Sequence, residues 1–128
     1  MEIPNVDTAS FAYNDLTGID RWSTWTPVWT SLTTVGDLST SGRFRVVGRS
    51  LQFQVRVSAA TSIASTAGTT FFALPAVAKG LAGIATMSNQ STNVAVGVCV
   101  VDTTNSRVYV PTQGASGSTF TVAGWMEI

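Results

Sequence analysis

The clearest pattern in the chain is a strict alternation of apolar and polar residues over positions 51–58. A period of two predicts a β-strand with one buried face and one solvent-facing side. The apolar positions are Leu51, Phe53, Val55 and Val57. Residues 43–47 follow the same pattern more loosely, and Gly48-Arg49-Ser50 between the two runs predicts a tight turn. The sequence therefore predicts a β-hairpin, and this hairpin carries four of the chain's seven cations.

Further strands are predicted along the rest of the chain, with turn residues between them. A strand over 25–33 would put Trp25 and Trp29 on one face, and Pro27 marks it as an edge strand or a bulged one. Later strands are predicted at 69–74, 81–88, 94–101, 107–111 and 119–128. In the strand at 94–101, the valines would share one face, and the other face would be a flat surface of Ala95, Gly97 and Cys99.

About eight strands at roughly 8–14-residue spacing are typical of an all-β sandwich or barrel. We therefore expect an all-β, antiparallel, jelly-roll-like β-sandwich of about eight strands, with an immunoglobulin-like topology as the alternative. Residues 22–128 would form the sandwich domain, and residues 1–21 would form an extended N-terminal arm.

The N-terminal segment differs from the rest because residues 1–20 hold four of the seven acids and no cation. Its candidate anchor residues are Phe11, Tyr13, Leu16 and Ile19. These spacings permit a helical turn, and an extended arm lying on a partner fits equally well. The segment is thus either an anchor or inter-subunit arm, or an unstructured terminus.

Charge composition limits the classes of partner. Charged residues make up 11% of the chain and the formal net charge is zero. Binding to nucleic acid or to an anionic membrane needs a concentration of Lys and Arg, so neither is expected. A neutral, charge-poor surface favours self-association. No apolar run approaches the length of a membrane-spanning helix and no signal peptide is visible, which predicts synthesis in the cytoplasm without membrane insertion.

Catalytic chemistry is not expected. The chain has no His, which removes the most common general base and metal ligand. Its single cysteine, Cys99, lies in an apolar run and is expected to be a small buried side chain. Beyond residue 20 the acids are Asp37, Asp102 and Glu127, which are expected in turns or at a terminus. No phosphate-binding loop or triad motif is present. We therefore predict no enzyme activity, no cofactor and no metal.

Two sets of residues are candidates for binding. The first set is the tryptophans: Trp22, Trp25, Trp29 and Trp125. The second set is the polar face of the hairpin: Arg43, Arg45, Arg56, Gln52 and Gln54. Aromatic rings beside amide side chains suit sugar recognition, since rings stack on C–H faces and amides bond to hydroxyls. Core packing and a subunit interface, where Trp and Arg are also enriched, remain open as alternatives.

Three motifs together resemble a known module. They are W-T-P-x-W-T-x-L-T-x-x-G from Trp25, S-G-R-F-R-V-V-G-R-S-L-Q-F-Q-V-R-V from Ser41, and S-T-A-G-T-T-F-F-A-L-P from Ser65. In this combination the chain resembles a β-sandwich module of bacteriophage tail fibres, spikes and other virion appendages. The resemblance is clear over residues 25–75 and looser beyond them. It implies a homotrimer, typically at the distal end of a virion fibre, in which the module either folds and locks the trimer or touches host cell-surface glycans.

The resemblance leads to two functional hypotheses. Only about two dozen residues precede the module, which leaves no room for a fibre shaft. The first hypothesis is therefore a small virion structural protein, a trimeric knob or decoration on the capsid or tail, bound to other virion proteins through its N-terminal arm. The alternative is a receptor-binding module that recognises host glycans. In either case the protein would be located in the virion.

Overall fold

The computed structural model describes residues 21–115 and 119–128. These residues contain β-strands and no helix, so the all-β prediction is confirmed. The strands are β1 (Ser23–Trp25), β2 (Trp29–Thr30), β3 (Thr33–Val35), β4 (Leu38–Val47), β5 (Ser50–Ala59), β6 (Ser62–Ala64), β7 (Phe71–Ala73), β8 (Gly83–Asn89), β9 (Val94–Asp102), β10 (Arg107–Tyr109) and β11 (Thr119–Glu127). Within the same residues, no helix is long and apolar enough to cross a membrane.

Nine of these strands form one large sheet in the order β1-β4-β5-β11-β8-β9-β10-β7-β2, and β3 pairs with β6 in a small second sheet. Every pairing is antiparallel. The centre of the large sheet is built from its longest strands: β4, β5, β11, β8 and β9. The antiparallel, sandwich-like architecture predicted from the sequence is therefore confirmed.

The large sheet curls because its two edge strands are joined by a very short stretch of chain. Its edge strands β1 and β2 are separated by only residues 26–28. Extended chain covers about 3.3–3.6 Å per residue, so Trp25 and Trp29 cannot be more than about 14 Å apart. The prediction of one continuous strand over 25–33 is wrong. The chain leaves one edge of the sheet at the buried Pro27, which has no N–H to donate, and joins the opposite edge.

The inner face of the curled sheet holds the core. Strand β5 alternates as predicted, with Leu51, Phe53, Val55 and Val57 all buried. Its partner β11 buries Phe120, Val122 and Met126, and further buried side chains come from other parts of the chain: Ile63, Phe72, Ala85, Met87, Val108 and Val110. The predicted hairpin is present, with Val47 opposite Ser50 and Gly48 at a φ of 60° in the turn.

The valine-rich strand β9 is placed differently from its neighbours. Its register with β8 shifts between Ala95 and Gly97, which is a β-bulge. After the bulge, Cys99 is buried, whereas Val98 and Val100 are 65% and 64% exposed. The predicted flat face of small residues therefore packs, at Cys99, against the chain's own core. Val94, Val98 and Val100 are exposed, whereas Val96 at the bulge packs against the core.

Cys99 should be chemically inert in the folded protein. Burial raises the pKa of its thiol to about 12, because the thiolate would lose its hydration. At pH 8 we expect no reaction with Ellman's reagent in the native state and complete reaction of one thiol per chain after denaturation in guanidinium. Complete reaction of the native protein would contradict the buried placement of this side chain.

Gly124 should tolerate no side chain. It lies in β11 between Phe53 of β5 and Ala85 of β8. A Cβ there would overlap the carbonyl oxygen of Ile84 and lie 2.6 Å from the Cα of Ala85, so backbone would have to move. We expect Gly124→Ala to lower the free energy of unfolding by about 1–3 kcal/mol in urea denaturation.

The matched control for this substitution is Gly114→Ala. A Cβ at Gly114 meets no atom within 4 Å. We expect a change within about 0.5 kcal/mol. Equal effects of the two substitutions would show that close strand packing at Gly124 is not the cause.

Candidate functional site

The face of the large sheet that points away from the core brings together most of the predicted binding residues. Strand register sets them out in rows. One row runs from Arg45 of β4 through Gln52 and Trp125 to Ile84 of β8. The next row runs from Arg43 through Gln54, Ala123 and Thr86 to Val98 of β9. We call this surface the outer face.

One half of the outer face is a basic strip, which we define as Arg43, Arg45, Gln52, Gln54 and Arg56. The Nε of Arg43 donates a hydrogen bond of 2.7 Å to Oε1 of Gln54, and the Nε of Arg45 donates one of 2.7 Å to Oε1 of Gln52. These cross-strand bonds hold both guanidinium groups in fixed positions on β4. Each guanidinium has five N–H donors, so several donors remain for a ligand.

Trp22 completes the basic strip. Its ring lies under both guanidinium groups, with the Cζ atoms of Arg43 and Arg45 at 4.7 and 4.8 Å from the ring centroid. Such cation–π contacts contribute about 0.5–1 kcal/mol each at exposed sites. They also hold both guanidinium groups beside one ring. The arrangement favours recognition of a planar carboxylate.

The arginines of the strip have no carboxylate partner in the part of the chain that the structure describes. The acidic residues of that part lie at other places in the fold. Asp102 accepts hydrogen bonds in the turn after β9, and Glu127 accepts one from the backbone N–H of Leu81. Asp37 lies between β3 and β4. The strip is therefore a positively charged surface with unsatisfied capacity for an anion.

An open groove of about 550 Å³ runs along the strip. Its polar lining comes from four strands: Thr24, Ser41, Arg43, Gln54, Arg56 and Thr121. Arg43 and Arg56 are diagonal neighbours on β4 and β5, since Arg43 pairs with Gln54 and Ser41 pairs with Arg56. A group with several acceptor oxygens would meet guanidinium, amide and hydroxyl donors in this groove.

At one end of the outer face, hydroxyl groups form a network of their own. The hydroxyls of Ser88 and Thr121 are 2.9 Å apart, and Nε2 of Gln90 donates to both, at 3.0 and 2.9 Å. Ser58 and Thr119 make a similar pair at 3.2 Å. The network joins β8 to β11 and gives this end of the face a neutral polar character.

The other half of the outer face is an apolar patch, which we define as Ile84, Val98, Val100 and Trp125. Their exposed fractions are 51%, 65%, 64% and 37%. Single exposed apolar residues are ordinary on protein surfaces, but neighbouring ones on adjacent strands form a contiguous patch. The patch lies on β11, β8 and β9, which are consecutive in the sheet. Such patches mark surfaces that contact other molecules.

The structure does not bring Trp25 and Trp29 to this face. Both are half-buried and pack against the core. Trp25 meets Phe44 edge-on at 5.8 Å, and Trp29 lies 4.9 Å from Phe72. The indole N–H of Trp29 donates to Oγ1 of Thr40 at 3.1 Å. Trp25 and Trp29 therefore follow the core-packing alternative that the sequence left open for the tryptophans.

Two groups of residues stand apart from the predicted binding set. The candidate anchor residues Phe11, Tyr13, Leu16 and Ile19 lie outside the described residues. Conversely, Ile84, Val98 and Val100 belong to the outer face but were not predicted as site residues. The only sequence pattern that bears on these valines is the alternation around Cys99. That pattern identifies the two sides of β9 but does not reveal which side is buried.

Within residues 21–115 and 119–128, no three His, Cys, Asp or Glu side chains form a cluster suited to a metal ion. Asp102 is the last residue of β9 and lies next to a turn, as predicted. The side-chain N–H of Asn105 and the backbone N–H groups of Asn105 and Thr104 bond to its carboxylate and lower its pKa, with a further contribution from Arg107.

Comparison with protein-family models, curated proteins and solved structures finds no match to this chain. The resemblance to phage virion appendage modules therefore stays a prediction from sequence motifs. The fold and the geometry of the outer face are the grounds for a functional proposal.

Proposed function

We propose that this protein is a structural protein of a bacteriophage virion, a small trimeric knob or decoration protein on the capsid or tail. The observation that carries the proposal is the apolar patch of Ile84, Val98, Val100 and Trp125. A chain with so few charges and such a patch gains stability by covering it with another protein surface. The phage context comes from the three motifs in residues 25–75.

The patch suits the centre of a protein interface. Interface centres are apolar and rich in aromatic residues, and their rims are polar. Here Trp125 and the aliphatic side chains supply the centre, while the hydroxyl network and the basic strip lie on two sides. Standard interfaces bury about 800 Å² per partner, more than four side chains provide. Surrounding strand residues of the outer face would complete the contact.

A homotrimer is the assembly that the virion resemblance implies. In a closed ring of three copies, each contact joins two different surfaces, because only a twofold contact joins identical surfaces. The patch of one copy would therefore contact a different surface of the next copy. This arrangement also keeps like-charged basic strips from facing one another directly. The proposed role is structural and requires no reactive side chain.

A second candidate function is recognition of host cell-surface glycans. The observation that favours it is the groove, where Arg, Gln, Ser and Thr side chains line a concave surface and Trp22 lies against Arg43 of that lining. Sugar hydroxyls and carboxylates bond to such donors, and ring faces stack on tryptophan.

The oligomer prediction tests the apolar patch. We expect size-exclusion chromatography with light scattering to give a mass above the 13.4 kDa of one chain at micromolar concentration. Val98→Glu should shift the protein toward that monomer mass, because a charge would be buried in the interface. Val77 is 72% exposed in a loop outside the patch, so Val77→Glu is the matched control and should leave the oligomer intact. A monomeric wild-type protein would overturn the proposed trimer.

Glycan binding separates the two functions. In a structural role, the protein needs no sugar, so we expect no retention on an array of bacterial surface polysaccharides. Retention that Gln54→Ala abolishes and Gln90→Ala preserves would instead establish the groove as a receptor site. Gln90 is the control because it bonds to the hydroxyl network rather than lining the groove.

A further inference from the structure

The chain divides its charge unevenly between its two parts. Residues 21–128 contain all seven cations and three of the seven acids, whereas residues 1–20 contain the other four acids and no cation. The arginines of the basic strip have no acidic partner in the described part of the chain. The segment that precedes the described residues thus has the charge that the strip lacks.

Trp22 shows where that segment reaches the folded part. Its ring lies against the guanidinium groups of Arg43 and Arg45, so the chain enters the described structure on the outer face. Ser23 then pairs with Phe44 at the edge of the sheet. Residues immediately upstream of Trp22 are therefore tethered beside the basic strip. Such a short tether gives an effective local concentration of about millimolar or more.

We propose that residues 1–20 dock in the groove of the basic strip of their own chain, with carboxylates against Arg43 and Arg56. The acids with the shortest tether are Asp20 and Asp15. Neighbouring strands are about 4.8 Å apart, so the strip is roughly 10 Å wide from β1 to β5. The seven residue-to-residue steps from Asp15 to Trp22 can span about 23–25 Å when extended. Both acids can therefore reach the groove without unfolding any strand.

The docking is electrostatic in character. Each pair would be solvent-exposed, and exposed ion pairs are individually weak and screened by salt. The short tether and the fixed guanidinium groups compensate for the weakness of each ion pair. The arginine side chains of the strip already have fixed positions, so docking costs little further side-chain entropy on the strip. The docked population should fall as ionic strength rises. The apolar patch stays uncovered, so this docking does not depend on the proposed virion function.

Paramagnetic labelling of the full chain tests the docking. Thr17→Cys provides a nitroxide attachment site between Asp15 and Asp20, and mass spectrometry of the unsubstituted chain checks that the buried Cys99 takes no label. In low salt we expect loss of the amide NMR signals of Gln54, Arg56 and Thr121 around the groove. The signals should return in about 0.5 M salt, where the screening length is only a few ångströms.

Charge substitutions give the matched comparison. Arg43→Glu with Arg56→Glu should restore the groove signals, whereas Arg49→Glu, the same change in the exposed hairpin turn, should not. Asp15→Asn with Asp20→Asn should restore them as well, and these substitutions leave every described strand unchanged. If the groove signals survive in the labelled chain at low salt, or if their loss persists through these charge changes, the docking is wrong.

A mixed sample identifies the chain that supplies the segment. Nitroxide-labelled chains without nitrogen-15 are combined with unlabelled nitrogen-15 chains. Undiminished groove signals in this sample support docking within one chain, and signal loss there would overturn it in favour of a neighbouring copy. Because none of these readouts measures oligomer mass or virion incorporation, failure of the docking is distinguishable from failure of the proposed function.

Discussion

The structure depends on the closure of one long sheet on itself. Strands β1 and β2 are the two edges of the nine-stranded sheet, and the chain connects them through residues 26–28 alone. This short connection forces the sheet to curl, and the curl encloses one face of the sheet, which holds the core. Trp25 and Trp29 then pack against the same core from opposite edges. Proline at position 27 suits the crossing, since a residue without an N–H loses nothing by leaving the ladder.

The two-sided character of the molecule follows from this closure. In a curled sheet every strand presents alternate side chains to the core and to the outer face. The outer face is uneven: β4 and β5 contribute arginine and glutamine, whereas β8 and β9 contribute isoleucine and valine. Trp125 lies on β11 between the two halves. One continuous surface therefore offers two kinds of contact, one electrostatic and one apolar, whose partners need not be the same.

The sequence predicted those features that depend on local pattern. The alternation in β5 identified its buried face correctly, and the same is true of β11, because both strands have large apolar residues on one side only. Strand β9 has β-branched residues on one side and small residues on the other, so its pattern was ambiguous. The buried side is that of Cys99, and the bulge near Val96 breaks the simple alternation. The apolar patch itself needed strand order, which no local pattern contains.

The tryptophans show the same limit at the level of single residues. Trp22 and Trp125 reach the outer face, whereas Trp25 and Trp29 pack on Phe44 and Phe72. Residue type alone could not separate these pairs. Trp22 and Trp25 face opposite sides because side chains alternate along extended chain, and the break at Pro27 carries Trp29 to the opposite edge of the sheet. The arginine and glutamine residues were easier to place, since a single hairpin fixes their side and their register.

The shortness of the edge strands has a consequence for how the protein avoids aggregation. Free edges can pair with strands of other molecules and so start fibrous association. In a chain with a formal net charge of zero, repulsion between copies gives little protection. Here the edge strands are short, with three residues in β1 and two in β2. Of the long strands, which offer more backbone groups for such pairing, β5, β8 and β11 are paired on both sides, whereas β1 covers β4 only over residues 42–44.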